Sequence, residues 1–185
     1  METAEINIET RWNIDPSHSD VSFKIKHLMI TNVKGTFKQF GASLNATNEN
    51  FTNSQIDFWI NPSSIDTGDD KRDMHLKSKE FFDVENYRQI TFSGKLSEKM
   101  NNMKNFDLTG ELTIKNISQE VKLSVEYLGA IKDLEGNDKI GFLVYGKINR
   151  KDFGLAWNTA IETVGGMLLG DDVLINCEVQ LIKQI

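Results

Sequence analysis

The residues able to do chemistry in this chain are few and widely spaced. Its three histidines, His18, His27 and His75, are too far apart for a helical ligand pair, and no HExxH or HxH spacing occurs. A metal site is therefore not expected. Ser17 and Ser19 flank His18, but there is no G-x-S-x-G elbow, and sequence neighbours cannot make a triad without an orienting acid and an oxyanion hole. The segment Asp15-Pro-Ser-His-Ser19 reads instead as a turn, with Asp15 and Ser17 able to bond nearby amides and Pro16 fixing φ. His27 continues the alternation Val21, Phe23, Ile25 and is expected to face inward. It is read either as a satisfied core histidine or as a polar group orienting the head of an apolar ligand.

Titratable residues concentrate in Asp69-Asp-Lys-Arg-Asp-Met-His-Leu76, which is read either as a solvated helix face or as part of a site. Between Thr67 and Arg88, Asp69, Asp70, Asp73, Glu80, Asp83 and Glu85 outnumber Lys71, Arg72, Lys77, Lys79 and Arg88 by one charge. No general anion trap results. A diphosphate head would need a focused cation such as Arg72 or Lys71, and a neutral quinone or amide is equally admissible. Phe supplies 11 of the aromatic residues. Phe23, Phe37, Phe81, Phe82, Phe92, Phe153 and Trp157 fall on expected inward faces or in the two breaks of the strand pattern, more ring surface than a small barrel needs to plug itself. A plain packed core is the competing explanation.

The elements that position these groups are strands. Period-two alternation runs through Val21–Ile25, Val33–Phe37, Ile56–Ile60, Ile90–Leu96, Leu108–Ile114, Val121–Tyr127, Ile140–Ile148 and Val173–Leu181, with Asn, Gly, Asp or Lys-rich turns between most of them. Eight one-sided strands in up-and-down order favour a closed antiparallel barrel, which leaves no unpaired edge, over a β-sandwich. The spacing breaks twice. From Asn61 to Tyr87 the gap exceeds an idle hairpin loop, and Met74, Ser78 and Phe81 fall at i, i+4, i+7, which predicts a short helix lying over a barrel mouth. Met74, Leu76 and Phe81 would pack that helix, within Asp69 to Phe82, against the mouth. The second break, Arg150 to Asp172, carries Thr163-Val-Gly-Gly-Met-Leu-Leu-Gly170, whose glycines suggest a mobile flap.

The chain has 185 residues, enough for one domain over residues 12–185 behind an extension of residues 1–11, with no need of disulfides or a structural metal. A formal charge of −6 and a pI near 5.1 argue against nucleic acid or an anionic membrane held by bulk electrostatics. No stretch approaches the ~18 to 20 apolar residues needed to span a bilayer. The N-terminus lacks a basic n-region and an apolar h-region, so the sequence as it stands reads as cytoplasmic, or as periplasmic if a leader has been removed. The single Cys177 fits either compartment.

Several motifs together resemble the YceI-like family, the bacterial lipocalin-like polyisoprenoid-binding group. They are Trp12-Asn-Ile-Asp-Pro-Ser-His-Ser19, Phe23-Lys-Ile-Lys-His-Leu-Met29, Gly35-Thr-Phe37, Ser64-Ile-Asp-Thr-Gly68, Arg72-Asp-Met-His-Leu-Lys-Ser78, Phe81-Phe-Asp83, Leu108-Thr-Gly-Glu-Leu-Thr-Ile114 and Asp152-Phe-Gly-Leu-Ala-Trp157. The resemblance implies an eight-stranded antiparallel lipocalin-like barrel with a lid helix. Its apolar channel would hold a polyprenyl diphosphate, polyprenyl quinone or fatty amide, with no catalysis and no cofactor. The chain departs from the family pattern at Tyr87-Arg88, where members often carry Pro. A channel lined by Phe23, Ile25, Phe37, Phe92 and Trp157 is expected, with His27, Arg72 or His75 meeting the head group. Two rivals are an enzyme acting on such lipids and a stress-related interaction protein with a packed barrel. The oligomeric state is left open, a homodimer included.

Overall fold

The computed structural model describes residues 9–47, 49–97, 105–158, 160–161 and 166–184. Strands β1 (Thr10–Ile14) and β2 (Asp20–His27) are two halves of one stave, interrupted by the 3₁₀ turn Pro16–His18. Asp15 caps that turn by accepting the Ser17 N–H, the structural role its sequence suggested. Strands β3 (Thr31–Phe37) and β4 (Phe40–Ala46) form a second bent stave, β5 (Gln55–Ile60) and β6 (Ile65–Asp66) a third. Five further staves complete the wall: β7 (Ile90–Leu96), β8 (Asn105–Ile114), β9 (Ile117–Lys132), β10 (Asp138–Asn149) and, past the small hairpin of β11 (Ala160–Ile161) and β12 (Gly166–Met167), β13 (Leu169–Lys183).

Every neighbouring pair is antiparallel, and β13 closes the ring by pairing with β10 on one side and with both β1 and β2 on the other. The result is a closed eight-stranded antiparallel barrel in up-and-down order. Residues 10–14 and 40–46 lie outside the alternating runs read from sequence, and the bends explain why. Cut off by its bend, β1 has only five residues, too few to show a sustained period, and β4 alternates through the small residues Ala42 and Ala46.

The inward faces make one continuous core. Phe92 shows how tightly its registers are set. Gly94 on β7 faces Gly110 on β8, and a Cβ at either would lie 2.6 Å from the Phe92 ring tip, so the two glycines make room for that ring. One end of the barrel is stoppered by Trp12, Phe51, Tyr127 and Phe142, whose rings pack edge-on or tilted at 5.6 to 6.0 Å. The other end carries the helix α1 (Asp70–Lys77) and the 3₁₀ turn Arg150–Phe153.

Helix α1 is shorter than its spacing predicted. Asp69 caps it by accepting the Arg72 N–H, and Ser78 ends it in extended conformation. Phe81 therefore lies in the turns beyond the helix, and Met74 faces solvent with 69% of its surface exposed. The expectation that Met74 packs against the mouth is overturned: the helix turns Asp73 inward, bonded to Thr67, and that orientation carries its neighbour Met74 out to solvent. Of the expected flap, residues 159 and 162–165 lie outside the described residues, as do 1–8 of the N-terminal extension and 98–104 of an expected turn; Thr10 and Arg11 of that extension are part of β1. No helix among the described residues is long and apolar enough to cross a membrane.

Candidate functional site

The barrel holds a cavity of about 240 Å³ lined by inward residues from all of its staves. Alternation dictates the lining: Phe23, Phe37 and Phe92 project into it from β2, β3 and β7, beside Leu44, Val144 and Ile175. Phe81 and Phe82 close it from the lid side, and Phe82 meets Phe37 edge-on at 6.0 Å while Phe37 rests on Phe23 at 5.6 Å. Of the serines in the lining, Ser22 has its hydroxyl engaged, donating to the Asn176 carbonyl at 2.8 Å.

One charged residue lines the cavity among those described, and sequence reasoning missed it. Arg150 is 2% exposed, its stem along the lumen. Its guanidinium donates to the carbonyls of Gly170 (2.9 Å), Trp157 (2.8 Å) and Leu155, and reaches Asp171 at 3.5 Å. Burial pulls its pKa down and the Asp171 charge opposes this; an arginine keeps its proton regardless. In sequence, Asn149-Arg-Lys-Asp152 reads as a solvated turn, and only the fold brings three carbonyls around it.

Those bonds hold the segment carrying Trp157, whose indole packs on Phe81 at 5.4 Å and meets the His75 ring edge-on at 4.6 Å. His75 also bonds Glu80 at 2.5 Å. Below the helix, the buried Asp73 accepts the Thr67 N–H (3.0 Å) and hydroxyl (2.5 Å), while Arg72 donates to the Thr67 hydroxyl (2.7 Å) and carbonyl (2.8 Å). Arg72 is thus engaged in holding the lid base.

The structure brings Phe23, Phe37, Phe81, Phe82 and Phe92 together around the cavity, with His75, Leu76 and Trp157 in the lid over it or packed on its core. Ile25 and His27 are half-buried and lie outside the lining; His27 is at the hairpin end of β2, opposite Thr31 and Leu169. Phe153 is buried at 1% exposure in the core and does not line the space. Among the described residues no three His, Cys, Asp or Glu side chains converge as metal ligands. Cys177 faces the lumen, and burial pushes its thiol pKa up to about 12, the direction opposite to an activated nucleophile.

The sequence profile of the YceI-like domain matches residues 12–181, from the first ring-closing strand to the last. The chain belongs to the YceI-like family. A UPF0312 protein of Staphylococcus epidermidis is 42% identical to this YceI-like chain over 165 residues, 89% of the chain and 92% of that relative. Among solved structures, the YCEI protein of Campylobacter jejuni superposes over 100% of both chains with a TM-score of 0.73 and 35% identity. A polyisoprenoid binding domain from Saccharophagus degradans, described as implicated in plant cell wall breakdown, shares the fold at 14% identity and a TM-score of 0.64, covering 94% of this chain and 98% of its own.

Proposed function

We propose that this protein binds, stores or carries a long amphiphilic lipid, its apolar chain inside the barrel and its head group at the lid end, without transforming it. The observation that carries the reading is the cavity inside the barrel, lined almost wholly by apolar side chains. Such a space gains affinity only from hydrocarbon, at ~25 cal/mol per Å² buried. The name given to the Saccharophagus fold neighbour supports a polyisoprenoid as the chain chemistry. At about 240 Å³ the cavity falls just under the ~300 to 1,000 Å³ of drug-sized pockets. A long chain needs more room than this, and on our reading Phe81 and Phe82 on the lid side give way to it, with a neutral or anionic head left outside. A filled core would not leave this space, and the lumenal thiol, held protonated by burial, is not set up as a nucleophile.

Native mass spectrometry of the purified protein, with solvent extraction of any adduct, tests the reading. The wild type is expected to carry or take up a polyisoprenoid or fatty chain, and Val144→Trp, which fills the lumen, to lose it while staying folded. Uptake undiminished in a folded Val144→Trp variant, or none by the wild type from an added polyprenol, would overturn it.

A further inference from the structure

The hairpin joining β2 to β3 is built against its own stability. His27 and Ile30 close its turn, the Ile30 N–H donating to the His27 carbonyl at 3.2 Å, and both central residues adopt left-handed backbone, Leu28 at φ 51° and Met29 at φ 61°. That geometry is a type I′ turn, which favours Asn-Gly because side chains with a full Cβ are strained there. Burial does not offset the strain: Leu28, Met29 and Ile30 are 37%, 58% and 77% exposed. Behind the tip, Lys24 and Lys34 stand directly opposite each other across the two strands, a like-charge pairing that destabilises a sheet, and Lys26 lies beside them. All three are exposed.

The nearby carboxylates are already committed. Asp171 pairs with Lys151 at 2.8 Å and contacts Arg150; Asp172 pairs with Lys147 at 2.9 Å, and Asp66 with Lys38 at 3.6 Å. An apolar tip backed by lysines without a carboxylate partner among the described residues matches an anionic bilayer, with hydrocarbon below and phosphate above. The location fits as well. The Leu28 N–H donates to the Leu168 carbonyl, two residues from the Gly170 carbonyl that Arg150 holds at the lid end. The other exposed apolar tip, around Leu128, Ile131 and Leu134, lies at the stoppered end, where Lys132 and Lys139 are taken up by Asp138 and Asp133 and Glu126 and Glu135 leave the hairpin net negative, a weaker match to an anionic surface.

We infer that the Leu28-Met29-Ile30 tip and Lys24, Lys26 and Lys34 dock the lid end of the barrel onto an anionic phospholipid surface. This goes beyond cavity binding, giving the lipid a place to enter and leave. Despite the overall charge of −6, attraction is local, because charges beyond the ~10 Å Debye length at 0.1 M salt are largely screened.

Sedimentation with vesicles of phosphatidylcholine, alone or with about one part in three of phosphatidylglycerol, tests the inference. The full chain should pellet with the anionic vesicles and be released as salt rises. The paired substitution Leu28→Asn and Met29→Gly, which suits the turn, should keep or raise Tm yet lower the bound fraction at least about tenfold, as should Ile30→Asp and Lys24→Glu with Lys34→Glu. Leu134→Asp, at the far end, should pellet as the wild type does. Wild type left in the supernatant, full pelleting by the Asn-Gly variant, or loss confined to Leu134→Asp would each overturn docking. Uptake of a polyprenol delivered from ethanol without vesicles separates this from cavity binding: it should be unchanged in the Asn-Gly variant, and its absence in wild type would count against the cavity reading alone.

Discussion

The buried Arg150 guanidinium donates to the Trp157 carbonyl at 2.8 Å, and through that residue it sets the indole that packs on Phe81 at 5.4 Å. One cation thus ties the wall of the barrel to the aromatic cover of its cavity. Because the fork spends its N–H groups on carbonyls of three separate residues, it works as a clamp whose stem alone meets the lumen.

Replacing Arg150 with Met keeps the stem and removes the donors. Carbonyls of Leu155, Trp157 and Gly170 then lose their partner, a loss of about 3 kcal/mol and, for a chain of this size, about 6–12 °C in Tm. Arg150→Lys should recover little of it, since an ammonium cannot reproduce a planar fork reaching several carbonyls. Thermal unfolding checks both, and a Lys variant melting with the wild type would show that charge without the fork suffices.

Thr67 is the floor of the lid. Thr67→Val keeps the shape but deprives Asp73 of a 2.5 Å donor and Arg72 of a 2.7 Å acceptor, while the backbone bonds to both remain. A local cost of about 1–2 kcal/mol follows. Hydrogen exchange should quicken in the α1 amides and leave those of β8 and β9 unchanged, with Thr67→Ser close to wild type. Equal acceleration throughout the barrel would place Thr67 in the global core instead.

These two clamps mark what pattern reasoning reaches and where it stops. Alternation identifies Phe23, Phe37 and Phe92 as inward because a strand's period is strictly two within each unbroken segment. It extends equally to Ile25 and His27, yet the cavity ends before them, and no local pattern encodes where a lumen stops. Met74 satisfied a helical spacing that ran through Phe81, but the chain leaves the helix at Ser78, so the spacing linked residues in different conformations. Arg150 was invisible for another reason. Its partners are backbone carbonyls, which have no sequence identity: two lie five and seven residues on, in a turn that folds back, and the third comes from β13.

Cys177 reports on the lumen. With its pKa pushed up to about 12 by burial, from an ordinary value near 9.0, its thiolate at pH 8 is ~1,000-fold scarcer than that of an exposed thiol. Iodoacetamide should leave it unmodified in the folded protein and label it promptly in guanidinium chloride. A group whose folded pKa is raised stabilises fully below the unfolded value and loses that contribution as pH rises through the folded one. Stability should therefore decline from about pH 9 towards 12, and Cys177→Ala should lack this alkaline component. Rapid native labelling at pH 8 would show a lumen open to water.

Asp133 should make the β9–β10 hairpin sensitive to acid. Its carboxylate accepts the Asn137 N–H at 2.9 Å and side chain at 3.1 Å, meets the Lys139 ammonium at 3.1 Å and accepts the Glu135 N–H at 2.9 Å. The Asn137 bonds, foremost, with Lys139 and Glu135 adding to them against a smaller opposing effect of burial, hold its pKa well below the ordinary carboxylate value of 3.8. A depressed pKa stabilises the folded form above the unfolded value and ceases to do so as pH falls through the folded one. The stability difference between wild type and Asp133→Ala should accordingly be constant from pH 7 to about 5 and narrow steadily below about pH 4. Urea unfolding at a series of pH values measures it. A difference that grows on acidification would mean that the carboxylate is better satisfied in the unfolded chain, and the hairpin would owe its shape to the strands rather than to this turn.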